Sequence, residues 1–356
     1  MLPTTKIPID ITLNPTSKLQ EVDFDNLVFG KSFSDHMFIA DCIDGVWQTP
    51  QILPFGNLNM SPATAGLHYG QSIFEGLKVH KNEKDELLSF RLIENFNRLN
   101  FSAKRMSMAP IPEEIFMEGI KALVNIDKNW VPQGKGRSLY IRPLYISMDE
   151  WIKVRVASDY RLIIFGSPAG PYFDDAIKVW VEEEYSRSAE GGTGAVKAAG
   201  NYGGSMYPTQ LANERGYHQV IWTDASENKY IEETGAANVF FVIDGKIVTP
   251  SLSKSKLAGI TRASIIHILQ YWNLPIEERM ISKEELREQL KAGKVTEAFA
   301  TGTAVTIGPI ATIGYQEADY DLPKSDTWTV IPRLRQYLHD LKVGNIEDPF
   351  DWVGRL

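Results

Sequence analysis

At 356 residues, with 43% hydrophobic and 23% charged side chains, the chain can bury a large core, and its length favours two domains over one. A formal charge of −8 gives no electrostatic support for binding nucleic acid or an anionic membrane. The single cysteine, Cys42, excludes an intrachain disulfide, and the six histidines fall in no metal-binding spacing, so no metal is expected.

Residues 1–30 contain scattered Pro and Thr and read as an irregular arm without the apolar core of a signal peptide. No segment has the length of a membrane-spanning helix, and with one thiol in the chain a cytoplasmic protein is expected. Apolar residues alternating with turn formers predict strands over 35–44 and 48–55. Leu92, Phe96, Leu99, Ala103 and Met106 recur at spacings of four and three, the stripe of an amphipathic helix, and a second helix is expected over 113–127. Strands follow at 138–145 and 160–165.

The run from Gly166 to Tyr172 holds two Gly and two Pro and is the best linker candidate. It divides the chain into a small domain over 1–165, a linker over 166–176 and a larger domain over 177–356. In the larger part, strands are expected at 177–181, 219–223, 238–243, 246–249 and 297–301, and helices at 261–272, 282–292 and 331–341. The fold class is α+β.

Four segments carry residues suited to chemistry. Lys197 lies in Gly-Ala-Val-Lys-Ala-Ala-Gly-Asn-Tyr, where small neighbours let a ligand approach the backbone and leave room around the amine. Tyr202 closes that run, and Glu232-Glu233 precede a Gly-Ala turn and a strand. A roomy lysine with an acidic companion is what pyridoxal 5′-phosphate requires: an amine for a Schiff base and a carboxylate for its ring nitrogen. The run Leu257-Ala-Gly-Ile-Thr-Arg opens a helix whose first N–H groups and Thr hydroxyl suit a phosphate. Thr301-Gly-Thr-Ala-Val places main-chain N–H groups at a strand end, where they can hold an oxyanion. Each segment also fits an ordinary reading: a solvated loop lysine, solvated turn carboxylates, a plain helix cap and an unremarkable loop.

Together with Val28-Phe-Gly-Lys-Ser-Phe, His68-Tyr-Gly-Gln-Ser-Ile-Phe-Glu-Gly, Asn97-Arg-Leu and Tyr140-Ile-Arg-Pro, these segments resemble the branched-chain amino acid aminotransferases, pyridoxal-phosphate enzymes of fold type IV. The matching stretches run from residue 28 to 304. The resemblance implies a small N-terminal α/β sandwich and a larger C-terminal pseudo-barrel. It implies reversible amino transfer between leucine, isoleucine or valine and 2-oxoglutarate by a ping-pong mechanism, with glutamate and 2-oxo acids as the other small-molecule partners, and a homodimer.

Residue by residue, the resemblance makes Lys197 the Schiff-base lysine and proton carrier, Glu233 the partner of the ring nitrogen and Tyr202 that of the 3′-oxygen. Arg98, Ile260, Thr261 and Thr303 would hold the cofactor phosphate, while Thr303 and Ala304 would receive the substrate carboxylate. Phe29, Tyr69, Phe74, Tyr140 and Tyr172 would wall the side-chain pocket, with Arg142 at its edge for the second carboxylate of glutamate. Spacing alone also allows Arg98 as a surface arginine, Arg142 as a strand arginine with an exposed head, and the aromatics as ordinary core. Where mammalian relatives carry a CxxC pair this chain has Val305 and Gly308, and a threonine near the cofactor is Ala236 here. A D-amino-acid transaminase or an aminodeoxychorismate lyase shares the lysine and the glutamate; Tyr140-x-Arg142 and His68-Tyr69 favour the branched-chain enzymes. A non-catalytic protein that binds the cofactor would not need Lys197, Tyr202 and Glu233 together.

Overall fold

A computed structural model describes residues 5–170 and 175–356. The chain divides into two compact units, one made of Met1–Pro171, Lys197–Ala199 and His339–Leu356, the other of Tyr172–Val196 and Gly200–Leu338.

The first unit is built on a sheet of ten strands. Its main path runs Asp10–Ile11, Gln51–Pro54, His36–Ile43, Tyr160–Ala169, Ser138–Ser147, Leu77–Lys81, Leu87–Phe90 and Val353–Arg355. Only the first pair is parallel. Side chains alternate between faces, so register assigns each residue a side. Phe38 pairs with Ile164, and Ile164 with Pro143. On that face the helix Glu113–Ile126 packs so closely that a Cβ on Gly119 would lie 2.7 Å from the Phe38 ring. The opposite face carries Met37, Phe165 and Arg142, and two residues along Ser167, Tyr140 and Lys78. The helix Leu92–Arg105 buries Leu99 and Ala103 from its expected stripe, and Phe96 meets Phe116 of the next helix at 5.7 Å between ring centroids. Cys42 is fully buried, and burial pushes its thiol up from the ordinary range.

Gly166–Ala169, whose composition reads as linker, instead continues a strand in unbroken register with Ser138–Ile141. Beyond Phe165 this strand has no partner on its other side in His36–Ile43, and such an edge tolerates Pro168.

The second unit holds a nine-stranded sheet in the order Ile231–Thr234, Gln219–Thr223, Ile177–Val181, Thr306–Tyr315, Val295–Gly302, Asn238–Ile243, Lys246–Pro250 and Ile276–Arg279. Val179, Ile221, Val239, Phe241, Ala298, Ile310 and Ile313 form its core. The helices Ile260–Tyr271 and Lys283–Lys291 belong to it, as does Met206–Glu214, which packs Ala212 near Val220 and Trp222. Among the described residues no helix is long and apolar enough to cross a membrane.

Candidate active site

In the first unit Lys197 is fixed by its main chain. Its N–H donates to Ser102 Oγ at 3.1 Å, its carbonyl accepts from the Phe74 N–H at 3.0 Å, and Ala198 bridges to Ile73. The Lys197 amine lies 4.7 Å from the centre of the Phe74 ring. Next to Phe74, Glu75 is fully buried and receives Arg98 at two points, Nε to Oε1 at 2.6 Å and Nη2 to Oε2 at 2.9 Å. Asn95 and the Gly76 N–H also donate to it. Burial works to raise the Glu75 carboxyl, but the charge and hydrogen bonds of Arg98, with the charge of Lys197, hold it below the usual range. Arg98 is therefore no surface residue: its side chain is 9% exposed.

The expected pocket residues of this unit form a chain of contacts. Phe29 meets Tyr140 edge-on at 4.9 Å between centroids. Arg142 Nη2 donates to the Tyr140 hydroxyl at 3.1 Å, and its guanidinium stacks 4.6 Å from the Phe74 ring. The Arg142 head is thus held over aromatic rings rather than exposed. Tyr69 is not gathered with them; it is 39% exposed and its ring contact is with His68. Tyr172 lies outside the described residues.

In the second unit Glu233 is 3% exposed. Its Oε1 accepts from Asn238 Nδ2 at 2.9 Å and the Leu257 N–H at 3.2 Å, and its Oε2 faces Arg187 at 2.5 Å. Burial pulls the carboxyl up to about 7, opposed by the Arg187 charge and the Leu257 N–H. Glu232 is buried too, bonded to Ser255 Oγ and to Lys256 Nζ, so neither acid is a solvated turn charge.

Asn238 ties three segments together. It bonds Glu233 and the Leu257 carbonyl, pairs with Thr301 across the sheet, and its Oδ1 would be 2.0 Å from a Cβ on Gly259. Only glycine leaves room for that approach at the start of the helix Ile260–Tyr271. That helix has no side-chain cap at its N-terminus, so the first N–H groups, among them those of Ile260 and Thr261, remain for a ligand. Thr301 Oγ1 is buried without a hydrogen-bond partner, and Thr303 and Ala304 form the turn that follows. Tyr202, in the short helix Ala199–Gly203, lines a cavity of about 680 Å³ together with Gln219, Gly235 and Ala236.

Arg187 escapes sequence reasoning because no local pattern marks it, while Glu75, inside the His68–Gly76 motif, and Asn238, which closes the Glu233 run, lie in patterned stretches but gain a role only once their buried partners are known. In the second unit, a buried carboxylate with an open lone pair has the chemistry for a protonated ring nitrogen, and an uncapped helix start beside an enforced glycine has that for a phosphate; in the first, Lys197 is an amine anchored by its backbone.

Comparison with known proteins agrees with this chemistry. Residues 72–313 match the family model Amino-transferase class IV. The chain is 42% identical over 353 residues to branched-chain-amino-acid aminotransferase 2 of Bacillus subtilis, covering 98% of this chain and 97% of the relative. Among solved structures, the branched-chain amino acid aminotransferase of Escherichia coli superposes with a TM-score of 0.74 at 27% identity, covering 90% of this chain and 98% of that one. The enzyme of Thermobaculum terrenum in its PLP form has a TM-score of 0.73 at 21% identity over 90% and 98%, which speaks to the fold. With its lysine and glutamate motifs inside the matched region, the chain belongs to the class IV aminotransferases, of fold type IV, and within them to the branched-chain-amino-acid aminotransferases.

Proposed function

We propose that this protein transfers an amino group reversibly between leucine, isoleucine or valine and 2-oxoglutarate, using pyridoxal 5′-phosphate. The observation that carries the reading is Lys197, its backbone clamped by Phe74 and Ser102 and its amine over the Phe74 ring. When bound, the cofactor supplies a carbonyl that condenses with amines and a ring that takes up the electron pair left at the substrate α-carbon. Lys197 then carries the proton between that α-carbon and the cofactor's C4′, which requires its neutral amine for part of each cycle.

The remaining residues position and hold. Glu233, oriented by Arg187 and Asn238, pairs with the ring nitrogen, and Tyr202 with the 3′-oxygen. Ile260, Thr261, Thr303 and Arg98 take the phosphate, Arg98 being aimed by Glu75. Thr303 and Ala304 offer N–H groups to the substrate carboxylate. Phe29, Phe74, Tyr140, Tyr69 and Tyr172 surround the apolar side chain, each buried aliphatic group contributing roughly 1.5–3 kcal/mol. Arg142 meets the second carboxylate when the substrate is glutamate.

Incubating the enzyme with L-leucine and 2-oxoglutarate should yield 4-methyl-2-oxopentanoate and glutamate. Lys197→Ala should lower turnover more than about a hundredfold while the protein stays folded. Pyruvate formed from D-alanine, with no product from L-leucine, would replace this reading by a D-amino-acid transaminase.

We also propose a cytoplasmic homodimer. The buried, unpaired Cys42 suits a reducing compartment. The exposed apolar side chains of Trp151, Ile152, Val154 and Val156 offer one stretch of surface for a second copy. Light scattering after gel filtration should give twice the chain mass, and a monomer that still turns over leucine would refute the dimer.

A further inference from the structure

The N-terminal arm of the first unit, irregular in sequence, is held in place as one wall of a cavity. The Asn14 N–H donates to His36 Nε2 at 2.8 Å, and the Lys18 N–H and the Ser17 hydroxyl donate to Asp35. Between this arm and the segment Lys31–Asp35 lies a cavity of about 250 Å³ that Phe55 and Trp130 also line. That is below the roughly 300–1,000 Å³ of pockets for drug-sized ligands, so it suits a smaller molecule.

The lining has three kinds of surface. Phe33 stacks on Phe55 at 4.8 Å between ring centroids and gives an apolar wall. Deeper in, Asp35 is 8% exposed and also accepts from Trp130 Nε1 at 2.9 Å. Burial works to raise its carboxyl, but the donors Ser17, Lys18 and Trp130 hold it below the usual range. Beside it, Ser34 Oγ is buried without a hydrogen-bond partner, an uncommon state for a polar atom. Lys18, Glu21 and Lys31 line the same cavity and are exposed, which places them at its mouth. Their charged ends are paired with no group among the described residues.

We propose that this cavity binds a free α-amino acid with an apolar side chain. Its carboxylate would meet Lys18 and Lys31, its ammonium Glu21, and its side chain the Phe33 and Phe55 rings. A simple carboxylate would leave Glu21 facing an anion, and a simple amine would leave two lysines facing a cation; only a zwitterion answers both signs. The ligand, or a water it traps, supplies the partner that Ser34 Oγ lacks. The Lys31 N–H donates to the Val28 carbonyl at 3.2 Å, closing the turn that carries Phe29, and Phe29 meets Tyr140. Occupancy therefore bears on the wall of the proposed substrate pocket. That consequence rests on the proposed function, whereas the binding does not.

The test uses the holoenzyme labelled with 5-fluorotryptophan, the Trp130 resonance being assigned by its loss in Trp130→Phe. Should that variant not fold, the resonance is the one whose response disappears in the double variant Lys18→Ala/Lys31→Ala. L-leucine, 4-methylpentanoate and 3-methylbutylamine are titrated at matched ionic strength. The expected result is a saturable shift with L-leucine, and apparent affinities about tenfold weaker for the two analogues, each of which lacks one charge-assisted contact. Lys31→Ala and Glu21→Gln, on exposed side chains, should each weaken L-leucine about tenfold. Lys197→Ala, which removes the proposed reaction, should keep the shift, so that the site and the reaction fail separately. No saturable shift with L-leucine, equal affinity for 4-methylpentanoate, or a response unchanged in both charge variants would overturn the proposal.

Discussion

Gly76 and Tyr140 compete for one space: a Cβ on residue 76 would lie 2.0 Å from the Tyr140 phenol oxygen. Gly76→Ala must therefore displace the Tyr140 ring, breaking the Arg142 hydrogen bond and the edge contact with Phe29. A displacement near 1 Å at a substrate pocket costs about a hundredfold in rate. Steady-state kcat/KM with L-leucine should fall by that order in a protein that still unfolds cooperatively. An Ala variant at wild-type kcat/KM would show that Tyr140 does not position substrate.

Arg142 should separate the two half-reactions. Branched side chains need apolar contact only, whereas glutamate brings a carboxylate that cannot be buried without a donor. Arg142→Ala should lower the 2-oxoglutarate half-reaction about 10–150-fold in single-turnover measurements, and the leucine half-reaction less. Equal losses would assign Arg142 to holding Phe74 and Tyr140 in place.

Glu297 offers a test of stability remote from the chemistry. It is 3% exposed and accepts hydrogen bonds from the N–H groups of Thr329, Val330 and Ile331 at 2.7, 2.9 and 2.8 Å, capping the helix Val330–Lys342 from a strand. Glu297→Ala leaves three donors unsatisfied, so unfolding free energy should drop by at least about 2 kcal/mol. A midpoint unchanged in denaturant would contradict this.

The burial of Lys78 and Lys342 sets a pH dependence of stability. In the folded chain they titrate at about 7 and about 8, and in the unfolded chain near the free value of about 10.4. Between these limits the unfolded chain binds more protons, so stability rises with pH across the window. Denaturation in a phosphate-free buffer at several pH values from 7 to about 10 should show the rise, and Lys342→Met should flatten part of it. A variant with the wild-type slope would exclude Lys342 as its source.

How legible the molecule was depended on how local the signal is. The strands Ile177–Val181, Gln219–Thr223 and Asn238–Ile243 are apolar runs bounded by turns and read directly. Thr306–Tyr315 is as long as any strand in the chain, yet Gly308, Pro309 and Gly314 hide it. Pro309 is accommodated opposite Phe299, a pairing no window of sequence reveals. Gly166–Ala169 failed in the other sense, because glycine and proline mark a linker only where no neighbouring strand supplies a register. Lys197 and Glu233 sit in compact motifs and could be singled out as candidates. Arg187 lies in an undistinguished polar run, and its contact with Glu233 spans forty-six positions of chain.

The first unit's sheet is bounded at one edge by Asp10–Ile11 and at the other by Val353–Arg355, which pairs with Leu87–Phe90. During synthesis, Leu87–Phe90 must wait as an unpaired, apolar edge while more than two hundred residues are added, including the whole of the second unit. Such an edge on a nascent chain invites pairing with other polypeptides. The unit that begins to emerge first from the ribosome is thus the one that finishes folding last.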